Sequence, residues 1–128
     1  MAKHILLVDD ETEIRELLVE ALTEAGFRTT GVSSAHEALQ VVQNDSPDLV
    51  VTDLQLQEFD GFDVVERVKA IAPQTPIILL TGMLFDPEIV QGAVWQKIAA
   101  YVPKTSSLEQ IVQSVKQHLP PARLRPES

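Results

Sequence analysis

The sequence predicts a doubly wound α/β fold in which five parallel strands alternate with five helices, written (βα)5. Short apolar runs at residues 5–8, 49–51 and 77–80 show no alternation with polar residues, which is typical of strands covered on both faces. Between these runs, apolar residues recur at the spacing of amphipathic helices. Because each parallel crossover is right-handed and needs a connecting segment of this kind, we predict the strand order 2-1-3-4-5.

Composition limits the function classes that need to be considered. The 128 residues, 45% of them hydrophobic, are enough for one domain with an ordinary core. Without cysteine, the chain has neither a disulfide framework nor a thiolate zinc site. A net charge of -9 opposes direct binding to nucleic acid, and no apolar run reaches membrane-spanning length. We therefore expect a cytoplasmic domain over residues 1–119, followed by a proline-rich tail or linker at 120–128.

The first strand, residues 5–8, leads directly into a helix. Asp10 is predicted to cap this helix together with Glu13, which follows three residues later. Gly26 is predicted to end it. Residues 27–32 contain an arginine, two threonines and a glycine, so we expect a more polar strand at an edge of the sheet.

The second and third helices enclose another buried strand. Ser34 and Glu37 have the spacing of an N-terminal capping box for the second helix. Residues 49–51 form the third strand, which ends in Asp53. The third helix is predicted to begin at Asp60 and to end before two closely spaced prolines.

The last part of the chain repeats the alternation. Residues 77–80 form the clearest strand of the sequence and run into Thr81 and Gly82. Asp86 is predicted to cap a fourth helix, and residues 99–102 form a short fifth strand.

The final helix carries a continuous apolar stripe. Ser106 and Glu109 have the spacing of its capping box. The three histidines, at positions 4, 36 and 118, are scattered along the chain, so we expect them to be solvated.

Carboxylates follow two of the predicted buried strands. In the order 2-1-3-4-5, the chain leaves strands 1 and 3 in opposite directions, and ligands bind in the crevice between their carboxyl ends. Asp9, Asp10 and Asp53 should meet there. At separations of about 5 Å and an effective dielectric constant near 20, each pair repels by roughly 3 kcal/mol, so the cluster should hold a proton or a cation. Oxygen ligands alone favour Mg²⁺.

Groups suited to a phosphoryl group are predicted at the same edge of the sheet. The loop after the first strand has no glycine, so it cannot surround the phosphates of a dinucleotide with backbone amides. The hydroxyl of Thr81, the amide of Gly82 and the ammonium of Lys104 together match the three oxygens of a phosphoryl group. We therefore predict a metal and a phosphoryl group in one pocket.

Together, these residues resemble the receiver domain of the bacterial two-component response regulators, a family with a flavodoxin-like fold. The resemblance covers the chain from Lys3 to about Leu119. The family's functional positions fall on Asp9 and Asp10 for the acidic pair, Asp53 for the phosphoacceptor, Thr81 for the switch hydroxyl, Tyr101 for the aromatic switch and Lys104 for the lysine. The segment from Asp53 to Gly61 also matches the family pattern.

The resemblance implies a phosphorelay function. A histidine kinase would supply the phosphoryl group, and the chain would act as a signalling phosphoacceptor that catalyses only its own phosphorylation and dephosphorylation. The implied ligands of Mg²⁺ are Asp9, Asp10, Asp53 and the backbone carbonyl of Gln55. Movement of Thr81 and Tyr101 would switch a surface made by helix 4, strand 5 and helix 5, which would face an unknown effector or a second copy of the chain.

The sequence departs from the family pattern at two places beside the site. Gln57 stands where the family usually has proline, four residues after the phosphoacceptor, and Thr105 stands where it usually has proline after the lysine.

Two other function classes remain open from the residues alone. One is an Mg²⁺-dependent aspartyl phosphohydrolase, although the haloacid-dehalogenase type has Asp-x-Asp where this chain has Asp9, Asp10 and Glu11. The other is a receiver-like interaction module that no longer accepts phosphate.

Overall fold

A computed structural model describes residues 2–53, 61–81 and 97–119 of the chain. Strands and helices alternate along these ranges. They are β1 (His4–Val8), α1 (Thr12–Glu24), β2 (Arg28–Val32), α2 (Ala35–Asn44), β3 (Leu49–Asp53), α3 (Gly61–Ile71), β4 (Ile77–Thr81), β5 (Ala100–Pro103) and α4 (Leu108–His118).

The five strands form one parallel sheet in the order β2-β1-β3-β4-β5, which confirms the predicted doubly wound, flavodoxin-like fold. Val8, the last residue of β1, is in register with Val32 and with Thr52. Asp53 is in register with Leu80 on the next strand. The pairing therefore brings the carboxyl ends of β1, β3 and β4 to one edge of the sheet.

Two apolar layers cover the sheet, one on each face. In β1, Leu6 and Val8 point into the layer that includes residues of α2 and α3, whereas Ile5 and Leu7 point into the layer that includes residues of α1 and α4. Side chains alternate between faces in any strand, so a run of four apolar residues supplies both layers at once. This explains why the central strands lack polar alternation.

The outer strand β2 is more polar, as predicted for an edge, and it contacts α1 closely. A Cβ atom at Gly31 would lie 2.9 Å from Cγ2 of Val19 and 3.2 Å from Cγ of Arg15. Glycine at this position therefore allows α1 to lie directly against the strand.

The end of α1 agrees with its predicted glycine stop. Gly26 has a φ of 102°, in the left-handed region that glycine adopts without strain. Its N–H donates to the carbonyl of Thr23 at 3.0 Å, and the N–H of Phe27 donates to the carbonyl of Leu22 at 3.1 Å. These two bonds form a Schellman motif.

Two predicted N-caps are wrong by one residue. The N-cap of α1 is Glu11, not Asp10, and its side chain accepts no capping hydrogen bond. The Glu11 N–H donates instead to Oδ1 of Asp9 at 2.9 Å, so the preceding carboxylate holds this turn.

The second wrong N-cap is at α4. The capping box there is formed by Ser107 and Gln110, not by Ser106 and Glu109. The N–H of Ser106 donates to the carbonyl of Pro103 at 3.0 Å, which places Ser106 in the turn that follows β5. By contrast, Ser34 caps α2 as predicted, accepting a hydrogen bond from the Glu37 N–H.

The expectation that all histidines are solvated is wrong for His4, which is 2% exposed. Its Nε2 lies 2.8 Å from Oγ1 of Thr30, and its backbone N–H donates to Oδ2 of Asp48 at 2.7 Å. These contacts fix the first residue of β1 at the amino ends of the strands, whereas the acidic residues lie at their carboxyl ends.

Several predicted features lie outside the described residues. They are the helix starts at Asp60 and Asp86, the whole fourth predicted helix, and the tail at 120–128. Within the part of the chain that the structure describes, no helix has the length and apolar character needed to cross a membrane.

Candidate functional site

The structure brings three carboxylates together at the carboxyl edge of the sheet. Asp9 and Asp10 follow β1, and Asp53 is the last residue of β3. One oxygen from each of these side chains lies within 4.8 Å of the others. Since β1 and β3 are adjacent parallel strands, their carboxyl ends necessarily meet here.

Asp9 is the most deeply buried of the three, with no exposed surface. Its Oδ1 accepts the Glu11 N–H, and its backbone carbonyl accepts a hydrogen bond from Arg15 at 2.8 Å. Burial raises the pKa of the Asp9 carboxyl, while the bond from Glu11 and the nearby Lys104 ammonium partly offset that rise. The loop is thus built to hold an anion in a place where water solvates it poorly.

Lys104, in the turn after β5, extends its ammonium into this cluster. Its Nζ lies 2.8 Å from Oδ2 of Asp53 and 3.1 Å from Oδ2 of Asp9, and it also contacts Oε1 of Glu11. Burial alone would lower the pKa of Lys104, but hydrogen bonds to Asp53, Glu11 and Asp9 raise it well above its ordinary value. The lysine therefore remains charged throughout the physiological pH range.

Glu11 was not among the candidate site residues from the sequence. In the sequence, Glu11 only distinguishes the chain from phosphohydrolases of the Asp-x-Asp type. In the structure, its carboxylate pairs with Lys104 at the mouth of the site, where the Glu11 side chain is 57% exposed. Three consecutive acidic residues after a buried strand were the available signal, but only the position of Lys104 shows what the third one contacts.

The other predicted site residues are placed less completely. Tyr101 is half-buried on β5, in register with Leu79. Thr81 ends β4, where its backbone is in register with Pro103. Gln55 and Gly82 lie outside the described residues.

The donor set of this cluster fits a hard divalent cation. Among the described residues, Asp9 Oδ2 has an ionic contact with Lys104 but no hydrogen-bond partner, and it is buried. Asp10 and Asp53 supply further carboxylate oxygens beside it. Within the described residues, the Lys104 ammonium contacts the carboxylates of Asp9, Glu11 and Asp53, and Asp10 lies beside them. The Arg15 guanidinium contacts the Asp9 carbonyl, so four carboxylates stand against two cations and the pocket retains net negative charge. Such a site suits Mg²⁺, which is usually held by one or two carboxylates together with water and phosphate oxygens.

Fold and site together define a doubly wound α/β domain that has an acidic ligand-binding crevice between the carboxyl ends of β1 and β3. A model of the response regulator receiver domain family matches residues 5–116. The chain therefore belongs to the response regulator receiver domain family. This membership favours the receiver interpretation over an aspartyl phosphohydrolase.

Individual relatives agree with the family assignment. The chain is 29% identical over 120 residues to sporulation initiation phosphotransferase F of Bacillus subtilis, covering 94% of this chain and 96% of that protein. It is 30% identical to response regulator protein TrrA of Thermotoga maritima, which has a crystal structure in complex with Mg(2+)-BeF. The structural match covers 90% of this chain and 97% of the TrrA chain, with a TM-score of 0.79.

Other relatives are much longer proteins. The chain is 30% identical over 112 residues to transcriptional regulatory protein GlrR of Escherichia coli. This match covers 88% of the chain but only 25% of the GlrR protein. The chain thus spans about a quarter of the length of curated regulators that it matches.

Proposed function

We propose that this domain accepts a phosphoryl group on Asp53 from the phosphohistidine of a histidine kinase. The observation that carries the proposal is the convergence on Asp53 of two further carboxylates and one ammonium, with Lys104 Nζ 2.8 Å from its Oδ2. Asp53 is 4% exposed and ends a central strand, so its carboxylate is held in a fixed direction. A fixed nucleophile beside an ammonium suits phosphoryl transfer, in which positioning and charge neutralisation supply most of the catalysis.

In this reaction, an oxygen of the Asp53 carboxylate forms a bond to phosphorus while the phosphorus–nitrogen bond of the phosphohistidine breaks. The imidazole leaves and takes up a proton from solvent, and Asp53 becomes an acyl phosphate. Lys104, already within hydrogen-bond distance of Asp53, would then pair with an oxygen of the transferred group. The domain catalyses only its own modification, which makes it a signalling phosphoacceptor.

Asp9, Asp10 and Asp53, with the backbone carbonyl of Gln55, are the proposed ligands of Mg²⁺. When bound, Mg²⁺ supplies positive charge that neutralises the oxygens of the transferred phosphoryl group. The burial of Asp9 supports this assignment, because its Oδ2 has no hydrogen-bond partner among the described residues and its ionic contact with Lys104 is one that a metal ion could replace.

The readout is proposed to pass through Thr81, Gly82 and Tyr101. The Thr81 hydroxyl and the Gly82 amide would contact the phosphoryl group, and Tyr101 would turn toward the core. Tyr101 lies on β5, beside β4, which ends at Thr81, so the two positions occupy neighbouring strands. The switched surface would include β5, the fourth predicted helix, and α4, which is the fifth predicted helix. It would face an effector or a second copy of the chain in the cytoplasm.

Intact-mass measurement after incubation with acetyl phosphate and Mg²⁺ tests the acceptor assignment. We expect one added phosphoryl group on the parent chain and none on Asp53→Asn. The matched control is Asp63→Asn, which makes the same change at an aspartate outside the site, on α3. This variant should be labelled like the parent.

Labelling that persists in Asp53→Asn would overturn the choice of acceptor. A parent chain that remains unlabelled, both by acetyl phosphate and by a phosphorylated histidine kinase, would instead favour an interaction module without phosphoacceptor activity. Continuous release of phosphate from a simple phosphate ester would favour a phosphohydrolase.

A further inference from the structure

Glu11 adjoins the acidic pair but belongs to neither the proposed metal ligands nor the proposed phosphoryl contacts. We propose that Glu11 is a positioning residue that holds the Lys104 ammonium at the mouth of the site when a divalent cation occupies the oxygens of Asp9 and Asp53. This inference rests on the proposed function in one respect, namely that the acidic cluster binds Mg²⁺.

The geometry around Lys104 separates its three partners into two groups. An ammonium has three N–H donors, and the Lys104 ammonium contacts three carboxylates. Those of Asp9 and Asp53 are buried and belong to the cluster that fits a cation. The carboxylate of Glu11 is exposed at the rim. Only the contact with Glu11 is therefore independent of the proposed metal ligands.

A divalent cation held by the inner carboxylates would repel the Lys104 ammonium and move it away from Asp9. Lys104 Nζ lies 2.8 Å from Asp53 Oδ2 and 3.1 Å from Asp9 Oδ2, so it occupies space directly against the oxygens that would bind the ion. Two cations repel each other strongly at such distances. The lysine side chain is long and flexible, so its ammonium can shift outward.

Glu11 determines what the shifted ammonium still contacts. With Glu11 present, Lys104 keeps one carboxylate partner while it leaves Asp9, and it stays close to Asp53, where the phosphoryl group would arrive. Without Glu11, the partners that the described residues offer the ammonium all lie in the inner cluster, where it competes fully with the metal ion. Loss of Glu11 should therefore weaken Mg²⁺ binding.

Titration calorimetry of the parent domain with MgCl₂, without any phosphodonor, measures this effect directly. We expect Glu11→Gln to weaken Mg²⁺ binding about three- to five-fold, the upper part of the range for a partly exposed ion pair. Glu13→Gln is the matched control, because Glu13 is exposed on the first turn of α1 and carries the same charge. It should change the affinity by less than about two-fold. Glu11→Asp, which keeps the charge, should restore most of the affinity.

A double-mutant cycle with Lys104 separates positioning from simple charge attraction. In a Lys104→Met background, or in Lys104→Gln if the first variant is unstable, Glu11→Gln should change Mg²⁺ affinity by less than about two-fold. An equal loss of affinity with and without the lysine would overturn the proposal, since Glu11 would then act only through its own charge.

The same titrations distinguish this inference from the proposed function. If the parent chain binds no Mg²⁺, the metal assignment and the role of Glu11 both fail. If the parent binds Mg²⁺ and Glu11→Gln binds it equally well, only the role of Glu11 fails.

Discussion

The close approach of α1 to β2 depends on Gly31, which has no side chain to separate the helix from the strand. A Cβ atom there would approach Val19 Cγ2 to 2.9 Å, so the Val19 side chain, the helix or the strand would have to shift. We expect Gly31→Ala to lower the free energy of unfolding by about 1–3 kcal/mol, the usual cost of overpacking. The smaller entropy of the unfolded alanine chain offsets only about 0.4–1 kcal/mol of this cost. Urea unfolding followed by circular dichroism measures the difference.

The double variant Gly31→Ala/Val19→Ala is the control for this explanation. Removing the Cγ atoms of Val19 makes room for the new methyl group, so the effect of Gly31→Ala should be smaller in that background. If the two substitutions are simply additive, contact with Val19 is not the cause.

Individual contacts are also where sequence reasoning stops. Asp9, Asp10 and Asp53 could be grouped in advance, because they stand at the carboxyl ends of two recognisable buried strands. The burial of His4 could not be predicted, because its partners Thr30 and Asp48 are distant in the sequence. The contact of Glu11 with Lys104 likewise spans most of the chain, and no local pattern encodes it.

At the scale of whole elements, α4 provides a test of N-capping with an internal control. Ser107 accepts the Gln110 N–H at 3.1 Å, and the Gln110 side chain accepts the Ser107 N–H at 3.0 Å. We expect Ser107→Ala to destabilise the domain by about 1 kcal/mol, as for other N-cap serines. Ser106→Ala should have almost no effect. Thermal unfolding of both variants checks the prediction, and equal effects would contradict the observed cap.

The sequence alone could not choose between these two serines. Ser106 with Glu109 and Ser107 with Gln110 both fit the capping-box spacing. The choice depends on the turn after β5, where the Ser106 N–H is already bonded to Pro103. The existence and type of the helix were therefore predictable, whereas its first residue depended on the conformation of the preceding turn.

The N-terminus of α2 should make stability depend on pH. The Ser33 backbone N–H donates to Oε1 of Glu37 at 3.1 Å, and this bond lowers the pKa of the Glu37 carboxyl. A lowered pKa means that the stabilisation is complete above the ordinary glutamate value of about 4.3 and is lost as the pH falls through the lower folded value.

We therefore expect Glu37→Gln to be less stable than the parent at pH 7, by about 0.5 kcal/mol after allowance for solvent screening. The difference should disappear as the pH falls well below 4.3. Urea unfolding of both chains across this range tests it. A difference that grows in acid would contradict the assignment.

At the scale of the whole molecule, the acidic cluster should couple metal binding to stability. A ligand that binds only the folded state at ten times its dissociation constant raises the free energy of unfolding by about 1.4 kcal/mol. We expect Mg²⁺ at that concentration to raise the melting temperature by about 4–8 °C relative to EDTA at equal ionic strength. Differential scanning calorimetry provides the measurement.

Asp9→Asn is the matching variant, because it removes one carboxylate charge from the cluster. The Mg²⁺-dependent rise in melting temperature should be largely lost in this variant. An unchanged rise would mean that Mg²⁺ stabilises the chain elsewhere.

The architecture as a whole was the most predictable level. Apolar runs for β1, β3 and β4 identified the central strands, and the polar composition of β2 placed it at an edge. The connection rules for parallel strands then left few possible orders. These features follow from repeated local patterns, so an error of one residue at a helix end does not change the fold.

One consequence of the sheet order concerns assembly of the chain. β1 lies between β2 and β3, and β3 begins only at Leu49. A fragment that stopped at the end of α2 would offer one side of β1 as an open row of amide and carbonyl groups beside its apolar side chains. Such rows pair readily with other molecules. Premature truncation before β3 should therefore yield insoluble aggregates, and cooperative folding should begin only once both halves of the central pairing are available.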